Sequence, residues 1–337
     1  LVPLRILRKC SDRCPQRSRG AKRRWPAKPA VPLRAATPTK LLTSALVALS
    51  LVACATTTAT VDQRIDRIIA AHPDKTIGVA YCELRGGEAI LPVQDRRDRP
   101  CILRNERVTF HAASTMKVPV MFGVMQAVTH GELRLDQPVR VKNDFVSIFD
   151  GSHYALEARE DSDPQLYEMI GRELPLEELV RRMIDRSSNL ATNIVIEFIG
   201  APRIMELMKS IGANDIRVLR GVEDDKAYHA GMNNTTTALD LMLIFRALGE
   251  RTVISREASD RMIEILLAQE HNDGIPAGLP PGTRVAHKTG WITGITHDAG
   301  IVFRPDGSKY VLVVLTRGFK SEKQAKRVQA RIARATW

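Results

Sequence analysis

The sequence is short of aromatic residues, at 5% of 337, and of cysteine, with five, and it has no methionine before Met116. Neither C-x-x-C nor H-E-x-x-H occurs and the eight histidines are scattered, so no metal-ligand spacing is present and no cofactor or metal is expected. Acidic residues are nearly missing from positions 1–40, which hold 12 Lys/Arg against Asp12 alone. Removing that stretch from the totals of 50 basic and 38 acidic side chains leaves 38 against 37, so all but one unit of the net charge of +12 belongs to residues 1–40. The remainder shows no basic stripe to follow a phosphate backbone, which excludes nucleic acid as an expected partner.

No apolar run is long enough to cross a membrane, which takes about 20 residues. Leu41 to Ala53 is uncharged and follows Lys40, the pattern of a secretory signal with a basic start and a short apolar core. Its ending, Leu51-Val52-Ala53-Cys54, resembles a bacterial lipoprotein signal, which implies lipidation of Cys54, export, and anchoring in the periplasm or cell envelope. With no earlier methionine, translation is expected to start near Val31, leaving 1–30 as an over-extended reading and 31–53 as the signal. Residues 54–60 read as a tether and 61–337 as the folded domain. Cys82 and Cys101 are the cysteines left over, either a disulfide or two unpaired thiols.

Hydrophobic periodicity predicts an amphipathic helix over 61–71, then strands at 76–82 and 89–93 joined as a hairpin by Arg85-Gly86-Gly87-Glu88, with 94–106 a loop. Helical patterns follow at 114–129, 176–186, 189–199, 202–211, 237–248 and 255–269, with Thr237 and Asp240 as a capping box. Strands return at 284–288, 298–304 and 310–316, before a basic amphipathic helix at 322–335. Pairing the early and late strands gives an α/β fold: one antiparallel sheet of about five strands built from both chain ends, flanked by the terminal helices, with an all-helical lobe inserted. A groove between two such lobes is where a ligand would sit.

Ser114-Thr115-Met116-Lys117 opens the first long helical pattern, and a serine needs a neighbouring base before it attacks. Residues i and i+3 share a helix face, which sets the Lys117 amine beside the Ser114 hydroxyl. Ser187-Ser188-Asn189 lies between two helical patterns and Lys288-Thr289-Gly290 on the first returning strand, directly before Trp291. Each tripeptide is common alone; in this order and on these elements the set is specific.

The set resembles the S-x-x-K, S-x-N and K-T-G motifs of the serine β-lactamase and penicillin-binding-protein superfamily, and most of all its class A branch. Phe110 to Pro119, Ala277-Gly278-Leu279-Pro280-Pro281-Gly282 and Val285 to Gly290 add to the likeness, which covers about residues 61–337. It implies that Ser114 is the nucleophile, Lys117 its base, and Ser187 the relay to the leaving nitrogen, assisted by Lys288. It implies further that Asn189 and Thr289 bind substrate, and that the N–H groups of Ser114 and Trp291, around Gly290, form the oxyanion hole. The substrate is then a small β-lactam or acyl-D-amino acid, and the protein a monomer.

Two departures stand out. The family's Ser-Asp-Asn is Ser187-Ser188-Asn189 here, which removes a carboxylate, and the deacylating glutamate, best matched by Glu223, has Ala227 where asparagine is usual. His297, in Thr296-His297-Asp298, stands where the family often offers a cation or polar group to the substrate carboxylate; it either serves that role or packs or caps. The leading expectation is a β-lactamase working through an acyl-enzyme. The alternatives are a D-alanyl-D-alanine peptidase acting on cell-wall peptides and a penicillin-binding module that acylates without turnover.

Overall fold

The structure, a computed structural model, describes residues 59–84 and 101–337. The leader, Cys54 and the expected strand at 89–93 with its Gly-Gly turn lie outside the described residues.

Helix α1 (Val61–Ala70) starts at a capping box between Thr60 and Gln63 and turns Ile65 and Ile68 inward. Strands β1 (Thr76–Glu83) and β2 (Cys101–Arg104) follow, then β3 (Phe110–His111), a 3-10 turn over Ala113–Met116 and α2 (Lys117–Thr129). A loop-rich stretch carries the short strands β4 (Pro138–Arg140), β5 (Phe145–Val146), β6 (His153–Tyr154) and β7 (Glu173–Pro175). Helices α3 (Leu176–Asp185), α4 (Asn189–Ile199), α5 (Ala201–Ile211) and α6 (Asp225–His229) lead to β8 (Thr235–Thr236), α7 (Ala238–Gly249) and α8 (Arg256–Leu267). The chain closes with β9 (Arg284–Ile292), β10 (Ile295–Phe303), β11 (Lys309–Arg317) and α9 (Glu322–Thr336).

The main sheet is antiparallel in the order β2-β1-β11-β10-β9, so its centre joins strands from opposite ends of the chain. Both of its faces are buried. On β1, Ile77, Val79 and Tyr81 face α1 and α9 with Leu312 and Val314 of β11. Ala80 and Cys82 face the helical lobe with Val311, Val313 and Leu315. Burial on both sides explains why these strands read as unbroken apolar runs rather than alternating ones.

Three expectations change. Residues 101–104 are a strand, not loop: β2 pairs with β1, and Cys82 and Cys101 sit directly opposite each other and are disulfide-bonded. Arg104 of β2 also bonds the carboxylates of Asp62 and Asp66 on α1. Strand β9 runs four residues past the expected end at 288, because Thr289 to Ile292 pair with Ile295 to Asp298 across a turn whose Gly294 has φ +76°. Thr237 does cap α7 by accepting from Asp240 N–H, but the Asp240 carboxylate accepts from Asp215 N–H instead of completing a box.

The disulfide ties the sheet's edge strand to its neighbour over a separation of 19 residues. Cys82→Ala/Cys101→Ala should cost about 2–4 kcal/mol of stability, the usual range for a loop of that size. Urea unfolding reads it as a lower midpoint; an unmoved midpoint would mean that the bond stabilises nothing.

Candidate active site

The turn that carries Ser114 is held under strain. Ala113 adopts φ +46°, a left-handed conformation unfavourable for a residue with a Cβ. Its N–H donates to His111 Nδ1 at 3.0 Å, and Thr115 Oγ1 donates to Ala112 O at 2.6 Å. Strand β9 crosses behind it: a Cβ on Gly290 would lie 3.1 Å from the backbone nitrogens of both Ser114 and Thr115. Glycine at 290 therefore lets the third motif pack against the first. Ser114 is half-buried and lines a cleft of about 880 Å³ together with Ser187, Asn189, Glu223, Thr289 and Trp291.

Lys117 opens α2 and is wholly buried. Its Nζ donates to Ser187 O at 2.5 Å, Asn189 Oδ1 at 2.9 Å and Ser187 Oγ at 3.2 Å. Among the described residues none of its hydrogen bonds runs to Ser114, so the expected side-by-side pair shares a turn without being bonded. Burial brings the Lys117 pKa down to about 7, against the charges of Asp161 and Glu223, which push it up. A lysine lowered this far has its neutral amine, the form able to take a proton, within reach near neutral pH.

Lys288, also wholly buried, is held well below the usual lysine range, first by burial and then by the Lys117 charge. Its Nζ donates to Ser187 Oγ at 3.0 Å and to Thr289 O at 3.0 Å. The Ser187 oxygen thus accepts from both lysines, which leaves its own proton to be given away. Ser187 stands at φ +64°, a second left-handed residue at the site.

Glu223 is a third, at φ +60°. It is neither exposed nor paired with Arg220, whose guanidinium donates to Met232 O, Gly221 O and Asn233 Oδ1. Glu223 Oε1 accepts from Asn189 Nδ2 at 2.6 Å, closing a chain from Lys117 through Asn189 to Glu223. Burial raises its pKa, the Asn189 hydrogen bond opposes that, and Asp161 and Glu160 add to the rise. Asn193 places the loop by accepting from Val222 N–H at 2.6 Å and donating to Val222 O at 2.9 Å. Both ends of the Asn189 amide are therefore engaged within the protein.

His297 does not fit the role of a cation. It is buried, burial lowers its pKa to about 4, and its neutral ring donates from Nε2 to His111 O at 2.9 Å. Its Nδ1 accepts from Thr316 N–H at 3.3 Å, so both nitrogens brace β3 and β11. Trp291 is 55% exposed and lines the cleft.

One residue that motif reading passed over is Asp161, buried in the loop ahead of α3, with its carboxylate on the first N–H groups of α4. The signal was there in principle. A buried helix start without an acidic first turn needs acceptors from elsewhere. Among the described residues no cluster of three His, Cys, Asp or Glu could hold a metal ion.

Comparison with known proteins gives a consistent result. A β-lactamase of Bacteroides uniformis is 24% identical over 275 residues, covering 75% of this chain and 87% of its own. The crystal structure of a β-lactamase from Sphaerobacter thermophilus superposes with a TM-score of 0.67 at 26% identity, covering 81% of this chain and 95% of that one. A point mutant of PBP-A, solved as an acyl-enzyme complex with penicillin G, has the same fold, with a TM-score of 0.63 at 24% identity and coverages of 82% and 94%. The profile of the beta-lactamase enzyme family matches residues 60–337, and the chain belongs to that family.

Proposed function

We propose that the protein is a serine β-lactamase, a hydrolase that opens the cyclic amide of β-lactams through an acyl-enzyme on Ser114. The observation that carries this is the chain Lys117–Asn189–Glu223 beside the Ser114 turn, with Glu223 turned into the cleft. Neutral Lys117 takes the Ser114 proton as the hydroxyl oxygen attacks the lactam carbonyl. The N–H groups of Ser114 and Trp291 receive the developing oxyanion, each worth about 3–4 kcal/mol in comparable hydrolases. Ser187 passes its proton to the departing nitrogen and is resupplied from Lys117. Thr289, which lines the cleft, binds the substrate carboxylate, with Lys288 buried behind it on Ser187 Oγ. Glu223 then activates the water that releases the acyl group.

A chromogenic cephalosporin tests the reading. Continuous turnover supports it. A stoichiometric adduct without turnover points to a penicillin-binding module, and neither signal in a folded sample sinks the lactam reading and leaves cell-wall peptides to be tried.

The pH dependence has a definite sign. Below a pKa of about 7 Lys117 holds its proton and cannot accept another, so acylation should fall on the acid side. The expected slope is about tenfold per pH unit below that point and a plateau above it. Adduct formation followed by mass between pH 5 and 9 checks this; a rate flat across that range would remove Lys117 as the base.

The exported, lipid-anchored state is proposed on two supports. The signal-like segment ends at Cys54, and a disulfide joins Cys82 and Cys101, a bond that persists in oxidising compartments. Lipid mass on the protein expressed in a bacterium, lost in Cys54→Ala, is the expected result.

A further inference from the structure

The Asp161 carboxylate has a donor at each of its four acceptor positions. Oδ1 accepts from Asn189 N–H at 3.0 Å and Asp163 N–H at 3.0 Å. Oδ2 accepts from Leu190 N–H at 2.8 Å and the Tyr167 hydroxyl at 3.1 Å. Ser188, the N-cap, covers the next positions: its Oγ accepts from Ala191 N–H and its carbonyl from Thr192 N–H. The first four N–H groups of α4 are therefore satisfied, two of them by a residue 28 positions upstream of Asn189. The same loop is fixed at its other end, where Asp163, 2% exposed, bonds Arg182 of α3 at 2.8 Å. Between them, Ser162 Oγ donates to Ser187 O at 3.2 Å, the carbonyl that also receives Lys117.

Resting on the reading of Ser114, Lys117 and Glu223 given above, we propose that Asp161 is a positioning residue of the active site. It supplies from a separate loop the carboxylate that position 188 lacks, and it holds Asn189 in register with Lys117 and Glu223. The geometry requires it. The Asn189 backbone is bonded to Asp161 while its side chain bridges Lys117 and Glu223, so moving the first moves both others. The charges that bear on Lys117 are Asp161 and Glu223, with Lys288 facing it from β9; Glu160 bears on Glu223, and Tyr167 and Asp163 flank Asp161. Removing the negative charge of Asp161 should therefore move the Lys117 titration further down, because one of the two groups that favour its ammonium form is gone. The amide introduced by Asp161→Asn can accept on one oxygen only and would set an N–H₂ against the two donors that face the other oxygen.

The test compares the full chain with Asp161→Asn and with Asp161→Asn/Ser188→Asp. Asp161→Asn should slow acylation by benzylpenicillin roughly tenfold to a hundredfold and lower the midpoint of its pH profile by about half a unit to one unit. The double variant, with a carboxylate restored at the α4 start, should recover both. If Asp161→Asn does not fold, a folded double variant with the wild-type midpoint supports the proposal and an unfolded one overturns it. Loss of urea resistance with an unmoved midpoint also overturns it, since Asp161 would then be a strut only. The Lys117 titration read by ¹³Cε NMR in the same proteins needs no substrate. A wild type that no β-lactam acylates would end the lactam reading, while a downward NMR shift in Asp161→Asn would still support the positioning role and an unshifted titration would overturn it.

Discussion

Ser114→Ala should leave a folded protein that forms no adduct with benzylpenicillin and turns over a chromogenic cephalosporin about 10⁴-fold more slowly or worse, the scale of nucleophile loss in serine hydrolases. Folding should survive because the turn is held by atoms other than the hydroxyl: the Ala113 N–H on His111, the Thr115 hydroxyl on Ala112 O, and Gly290 packed against the backbone. The cleft, both lysines and the Glu223 chain would stay in place. Intact mass shows the missing adduct and thermal unfolding shows the retained fold. An adduct of undiminished yield would mean that another side chain is the nucleophile and would remove the basis of the proposed mechanism.

Glu223→Gln should separate the two halves of the reaction. Glutamine keeps an oxygen for Asn189 Nδ2 and preserves the volume, so the loop geometry should hold, while the group that activates water is lost. Deacylation should fall by about 10² to 10⁴-fold, the usual contribution of a general base. Ser114 would still be acylated, so the adduct should accumulate within one turnover and persist. The Glu223 charge is one of the two that raise the Lys117 pKa, so the acid limb of acylation should move to lower pH, not higher. Unchanged turnover would show that deacylation does not pass through Glu223, whatever its place in the cleft.

Much of the fold was legible because its central strands are buried on both faces. The runs at 76–82 and 310–316 are apolar apart from a terminal threonine in each, Thr76 and Thr316, and the helices between them carry strong periodicity or clear N-caps such as Ser188 and Ser255. What escaped depends on partners far along the chain. Residues 101–104 are a strand because β1 lies beside them, and their four side chains are all only half-buried, so no burial pattern marks them. The second half of β9 holds Thr289 and Gly290, which pair because β10 folds back on them. At the site, the nucleophile, lysines and serine were visible as motifs, since each motif is local. Asp161 was not, since its role comes from a spatial meeting with α4. His297 was left open between a ligand contact and a packing role for the opposite reason: an ionisable residue beside a motif suggests a ligand contact, while its burial against Phe110 and the Thr316 N–H makes it a brace.

The join between β1 and β11 has a consequence for how the protein comes into being. Thr76 pairs with Arg317, and Lys288 reaches Ser187 only from a strand of that same sheet. A ribosome-bound chain that has emerged as far as α8 carries Ser114, Lys117, Ser187 and Glu223 but has no β9 to pack behind the nucleophile. Pairing across so many residues makes for high contact order and slow folding. The lysine that faces Ser187 and the strand that packs behind Ser114 are therefore both supplied by the last part of the chain to be made.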